Sequence, residues 1–324
     1  MQTLSIPRPR TLVAATLLTF LAASQTLAAP PWHKHNAHPG KGQAAKGKPT
    51  PPSKDYEVVE IQLPADAVGG GAFSINNSQT VGGIYTTFNG EDLTFLWSRG
   101  KLELFRHPGS KITAMPSVTD SGNTLYGNWG SETVQHAGIY NRRTGKYTQF
   151  PDIPGKPMNY GQQMNNAGIG SGMACEGDWY NSFNCVPWLW DGSGYQFLSL
   201  PAGLDQFAYG INNRDQIVGG VFIAPPFEIA MYLWDRGKVT TLLPGTKGNA
   251  WGINDRGQVL AIIEVDPTEL FRMVLIEKGS YTRLPQFPGS LQTAWWGLNE
   301  RGDLAGYYWE DFSLPPKAIV AWRR

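Results

Sequence analysis

Apolar residues along this chain come in short runs, many alternating with polar ones, and each run is cut off by Asn, Asp or Gly. Alternation at a period of two predicts half-buried β-strands, and the Asn, Asp and Gly punctuation predicts tight hairpins. The pattern is not random along the chain. One phrase recurs six times: a turn centred on Asn or Asp, a Gly-rich strand, then an aromatic strand ending at another turn. The copies begin Ser74-Ile75-Asn76-Asn77, Ser117-Val118-Thr119-Asp120, Gln163-Met164-Asn165-Asn166, Gly210-Ile211-Asn212-Asn213, Gly252-Ile253-Asn254-Asp255 and Gly297-Leu298-Asn299-Glu300. Their apolar residues are spaced 43, 46, 47, 42 and 45 residues apart. A strand-rich repeat of that length predicts a β-propeller with one repeat per four-stranded blade.

The fourth copy shows how a repeat becomes a blade. It predicts strands over 209–212, 216–222, 230–234 and 238–243, with turns at 213–215 and 235–237. Gly and Asn tolerate the left-handed backbone that such turns need, and Asx side chains bond to nearby amides. The runs lack the alternating acidic ligands and terminal Glu of a calcium loop, so turn chemistry is the reading. The sixth copy stops at Trp322 without a fourth strand, while residues 56–64 resemble the fourth-strand segment 238–244. The expected fold is therefore all-β: a six-bladed β-propeller whose N-terminal strand completes the last blade and removes exposed edges. The small residues Ser74, Ser117, Gly210, Gly252 and Gly297 fit crowding near the axis.

The ends change the picture. Arg8 and Arg10 precede an apolar run over 12–23 and small residues up to Ala28-Ala29. That order predicts a signal peptide over 1–29 and an exported protein. Residues 30–54, rich in Pro, Gly, Ala and Lys, predict a disordered linker, with the propeller over 55–324. His33, His35 and His38 lie in that linker, where a solvated basic tail is the reading and no metal is expected. Of the 27 Lys and Arg, seven fall in residues 1–54 with none of the 26 Asp and Glu. The remainder holds 20 against 26, a balance of −6 that argues against nucleic acid. No second apolar stretch predicts a membrane span, and a monomer is expected. Cys175 and Cys185 are the chain's two cysteines, and in an exported protein they predict a disulfide.

The runs Gly-Ile-Asn-Asn-Arg-Asp-Gln-Ile at 210–217 and Gly-Ile-Asn-Asp-Arg-Gly-Gln-Val at 252–259, with Leu-Trp-Asp-Arg-Gly-Lys at 233–238, resemble the bacterial extracellular HAF-repeat family. His136-Ala137-Gly138 best matches its name-giving stretch. The resemblance covers about residues 56–324 and implies an exported, propeller-like repeat protein with no established activity.

Short turns put one face of the ring out of play. The other must carry the segments 85–94, 128–136, 174–187, 222–230, 264–272 and 308–317, and loops on a rigid scaffold carry binding residues. These segments hold 11 acids against Arg272 and Lys317 as full positive charges. Aromatics interleave with them. The candidate binding residues are Trp179, Tyr180, Glu176, Asp178, Trp309, Glu310, Asp311, Tyr85 and Trp129. Aromatic faces beside carboxylates suit sugars, and they also suit cationic groups. A hydrolase or lyase using Glu176 and Glu310 is the alternative, and a protein-binding scaffold is a third reading. No Gly-x-Ser-x-Gly elbow, Walker loop or His-Glu-x-x-His run is present, and His107 and His136 lack neighbours to activate, so no catalytic residue and no cofactor are assigned. The expectation is an exported, non-catalytic propeller that binds a glycan or another extracellular polymer.

Overall fold

The computed structural model describes residues 55–203, 205–223, 228–265 and 272–324. The expected leader at 1–29, the linker at 30–54, and Phe227, Asp266 and Glu269 lie outside the described residues. Every regular element among the described residues is a β-strand, and no helix is long and apolar enough to cross a membrane.

Strand β1 (Tyr56–Glu60) pairs with none of its neighbours in sequence. After it come β2 (Ala67–Ile75), β3 (Val81–Thr87), β4 (Asp92–Ser98) and β5 (Lys101–Phe105). A second set holds β6 (Ile112–Val118), β7 (Thr124–Gly130), β8 (Gln135–Asn141) and β9 (Lys146–Gln149). The third is β10 (Met158–Met164), β11 (Gly170–Gly177), β12 (Ser182–Trp190) and β13 (Tyr195–Phe197). The fourth is β14 (Gln206–Ile211), β15 (Ile217–Ile223), β16 (Glu228–Asp235) and β17 (Lys238–Thr241). The fifth is β18 (Gly248–Ile253), β19 (Val259–Ile263), β20 (Arg272–Glu277) and β21 (Ser280–Arg283). Last come β22 (Gln292–Leu298), β23 (Leu304–Trp309) and β24 (Lys317–Arg323).

Within each set, neighbours in sequence pair antiparallel. The last set takes its fourth strand from the other end of the chain: β1 pairs antiparallel with β24, from Tyr56 opposite Arg323 to Glu60 opposite Ile319. The architecture is that of a β-propeller, in which the first strand of each set faces the axis. Apolar clusters fill the wedges between sets, as with Leu96, Phe105, Met115, Leu125 and Trp129 between the first two. Trp97 stacks on Trp322 across the join between the first and last sets, at 6.1 Å between centroids.

The repeated Asn does more than shape a turn. Asn254 is typical: its Oδ1 accepts from Gln258 N (3.1 Å), and its Nδ2 donates to the backbone oxygen of Asn299 (3.2 Å) in the next repeat. Asn299 reaches Asn76, Asn76 reaches Thr119, Asn165 reaches Asn212, and Asn212 reaches Asn254 in the same way. The chain of amides is interrupted at one place, where Thr119 stands in the Asn position and its side chain bonds to Ser121 instead. The residue after each Asn forms a second circle. The backbone N–H of Asn77 donates to Asp120, Asp120 to Asn166, Asn166 to Asn213, Asn213 to Asp255, Asp255 to Glu300, and Glu300 back to Asn77.

The inner strands must approach closely for these bonds to form. A Cβ on Gly210 would lie 2.8 Å from the Cα of Gly252, and one on Gly297 would lie 2.8 Å from the Cα of Ser74. The small residues at this repeat position are therefore explained by strand-to-strand crowding. One residue earlier, every inner strand slips register against its neighbour: between Ala72 and Ser74, Ala114 and Ser117, Gly161 and Gln163, Ala208 and Gly210, Ala250 and Gly252, and Trp295 and Gly297. A bulge re-aims the residue it leaves unpaired.

Two substitutions test the amide circle. Asn254→Ala removes a buried link and should lower unfolding free energy by about 2–3 kcal/mol. Thr119→Asn supplies the missing amide opposite Asn165 and should raise it by about 0.5–1.5 kcal/mol. Denaturant unfolding of both variants checks the pair, and a neutral Asn254→Ala would show that the circle contributes little.

Candidate functional site

The bulges decide where the site lies. The residues they set free include Phe73, Pro116, Gln162, Tyr209, Trp251 and Trp296, and all six line one cavity of about 270 Å³ along the axis. Trp251 and Trp296 stack at 4.0 Å between centroids, and Phe73 meets Trp296 edge-on at 5.5 Å. An aromatic wall thus faces Pro116 and Gln162. Asn-turn residues cap the opposite end of the inner strands, so the cavity sits on the side that carries the longer connections.

The hairpin of β11 and β12 leans over this cavity. Its tip crosses to the second set, where Trp179 N donates to Glu132 O (2.7 Å) and Tyr180 Oη donates to Glu132 Oε1 (3.1 Å). Trp179 packs on Tyr160, with centroids 5.7 Å apart, and both line the cavity. The buried Nε1 of Trp179 faces Asp92, and the side-chain amide of Asn249 faces the Tyr209 hydroxyl, both within the cavity lining. Cys175 and Cys185 join the two strands of the hairpin as expected and form part of the cavity wall. The bridge holds paired strands rather than an irregular loop.

Two carboxylates reach the cavity, and among the described residues no Lys, Arg or His lines it. Burial pushes the Asp92 carboxyl above the ordinary range, against the bond donated by Thr86 Oγ1 and the charge of Lys111. Asp205 accepts from Cys185 N through Oδ1 (2.9 Å). Burial, with Glu132 nearby, pushes the Tyr180 hydroxyl up to about 12.

Of the candidate binding residues, Trp179 and Tyr180 come together here. Asp178 instead caps the hairpin tip, its Oδ1 accepting from Tyr180 N and Asn181 N at 2.9 Å each. Three of the candidate aromatics are corrected. Tyr85, Trp129 and Trp309 are 2%, 3% and 2% exposed and belong to the core, because β3, β7 and β23 run on through them. Trp129 stacks on His107 at 4.8 Å, and Trp309 packs edge-on against Tyr307 at 4.9 Å.

The acids of the rim have partners within the protein. Glu176 bonds to Lys156 (2.9 Å), Glu310 to Lys317 (2.8 Å), Glu132 to Lys111 (2.6 Å), and Glu91 to Arg106. Lys111, Arg106 and Lys156 come from the connections between repeats, outside the segments 85–94, 128–136 and 174–187. The lysine partners hold the carboxyls of Glu176 and Glu310 below the usual range. Asp311 caps its own loop by accepting from Ser313 N (2.8 Å). None of Glu176, Asp178, Glu310 and Asp311 lines the axial cavity. The segments 85–94, 128–136, 174–187, 222–230 and 308–317 also carry exposed apolar side chains: Phe88, Val134, Phe183, Ile223, Phe312 and Leu314.

The residues that sequence reasoning missed are the bulged ones. A signal was present: an aromatic stands just before the small residue of the repeat at Phe73, Tyr209, Trp251 and Trp296.

No family model matches the chain, and no curated protein matches it. Solved structures do. A gluconolactonase of Xanthomonas campestris is similar at a TM-score of 0.52 and 10% identity, over 84% of this chain and 91% of that one. A Pyrococcus horikoshii acylaminoacyl peptidase is similar at a TM-score of 0.50 and 12% identity, over 77% of this chain and 45% of that one. The chain therefore spans less than half the length of that peptidase. The β-propeller domain of the Trilobed protease from Pyrococcus furiosus aligns over 79% of this chain and 94% of its own length, at 9% identity and a TM-score of 0.47. At such identities the likeness is one of fold alone.

Replacing both cysteines, Cys175→Ala with Cys185→Ala, should cost about 2–3 kcal/mol, since the bridge closes a ten-residue separation. Calorimetry of the variant checks this, and an unchanged melting curve would show that the bridge does not hold the hairpin.

Proposed function

We propose that this chain is an exported, non-catalytic β-propeller of six blades, similar to the HAF-repeat proteins, that binds one unit of a glycan or other extracellular polymer in its axial cavity. The strand sets and the β1–β24 pairing support the blade number and the closure. Export rests on the charged, apolar and small-residue order of residues 1–29, and the disulfide supports it. One observation carries the binding reading: the bulges turn an aromatic wall toward a cavity whose other lining groups include the polar side chains of Trp179, Asn249, Asp92 and Asp205. A sugar ring offers an apolar C–H face for stacking, while its hydroxyls meet such a donor and acceptor. A mostly apolar concavity with a few converging polar groups is the usual form of a small-ligand site.

The hydrolase alternative built on Glu176 and Glu310 loses its support. Glycoside hydrolysis needs one carboxyl that stays protonated until it gives its proton to the leaving group. Glu176 and Glu310 are both lysine-paired and held ionised, and neither reaches the cavity. A second reading, docking of a protein partner on the loop-bearing face, is favoured by the exposed Phe88, Val134, Phe183, Ile223, Phe312 and Leu314 of its segments.

A glycan array probed with the purified chain separates the readings. Binding should appear and should weaken by at least about tenfold in Trp179→Ala and in Trp296→Ala, as is usual for buried aromatic anchors. Absence of any glycan signal, with a captured partner lost in Phe88→Ser and Phe183→Ser, would move the function to the rim.

A further inference from the structure

Two carboxyl groups line the cavity, and no basic side chain on its described wall faces them. Asp92 and Asp205 line it from two different repeats, and the lining contains no Lys, Arg or His among the described residues. Lys111, whose charge acts on Asp92, is bonded to Glu132 at 2.6 Å and stays outside the lining. The rim acids behave otherwise: Glu91, Glu132, Glu176 and Glu310 each have a basic partner within the protein. The chain thus neutralises its outer carboxylates and leaves its cavity carboxylates without a basic neighbour on the wall.

The surroundings of these two groups suit a cation. Trp179 turns its buried indole N–H toward Asp92 closely enough to draw its titration down. Tyr180, held by Glu132, lies on the same side. Aromatic faces attract cations through the ring quadrupole, and a partly buried carboxylate gains a charge-assisted hydrogen bond from an ammonium group. A neutral sugar would bring neither carboxyl the opposite charge that a group taken out of water gains most from.

We propose that the unit held in the axial cavity is an amino sugar with a free ammonium group, stacked on the aromatic wall and paired with Asp92 or Asp205. This rests on the reading of the cavity as a glycan site. The chemistry favours a deacetylated over an N-acetylated sugar, because the acetamide is neutral and bulkier at the charged atom.

Titration of the full chain with oligomers of glucosamine and of N-acetylglucosamine, followed by tryptophan fluorescence and calorimetry at low salt, tests this. The glucosamine oligomer should bind about tenfold more tightly or better, the gain expected of one charge-assisted hydrogen bond. Asp92→Asn or Asp205→Asn should remove that preference, while Glu91→Gln, on the rim, should retain it. Each variant's melting curve is recorded, and the two Asp variants stand as independent tests should one fail to fold. Equal or reversed preference in the native chain overturns the proposal, as does a preference that survives both Asp variants. Binding of neutral glycans alone, lost in Trp179→Ala, overturns the charge assignment and leaves the glycan site standing. No Trp179-dependent binding of any sugar overturns both.

Discussion

The rest of the structure depends on the hydrogen bond from one repeat's Asn amide to the next repeat's backbone oxygen. A propeller blade has little to pair with at its inner edge, since neighbouring inner strands splay apart. Here the turn itself makes the connection. Each Asn folds its own turn through Oδ1 and grips its neighbour through Nδ2, so local shape and assembly are set by one side chain. The amides are buried, and an unmet partner at that depth would be strongly destabilising. The second circle, of backbone N–H groups onto Asx and Glu oxygens, completes the round even where Thr119 breaks the first.

Drawing the inner strands together at one end has consequences at the other. The repeat position at the crossing is held to Gly, Ser or Gln, and the register slips beside it. That slip frees a side chain in each repeat from the sheet's alternation, and six such side chains meet on the axis. The device that ties the repeats together therefore also makes the cavity. Rigidity near the axis then favours binding, because aromatic walls that are already stacked lose little freedom when a ligand arrives.

Charge is distributed to match. Rim carboxylates lie beside basic residues, most of them from the connections, so they hold loops in place and do little chemistry. Fully exposed pairs of this kind add little stability. The long third-repeat hairpin, bridged by Cys175 and Cys185 and resting on Glu132, brings Trp179 and Tyr180 inward past that rim.

The periodic phrase alone determined the all-β class, the repeat boundaries, the strand order within a repeat and the borrowed N-terminal strand. These arise from local turn chemistry and from period-two alternation, which act over a few residues. The cysteine pairing was legible too, and the loop composition singled out Trp179 and Tyr180. Only the tertiary structure decided that Tyr85, Trp129 and Trp309 are core, since a strand that runs a few residues past its expected end buries what stands there. Only it decided that Glu176 and Glu310 are taken up by lysines, because the partner of Glu176 lies in another connection that no spacing rule relates to it. And only it decided that Phe73, Tyr209, Trp251 and Trp296 form the wall of a cavity, because a bulge is fixed by how two strands meet rather than by either strand's own sequence.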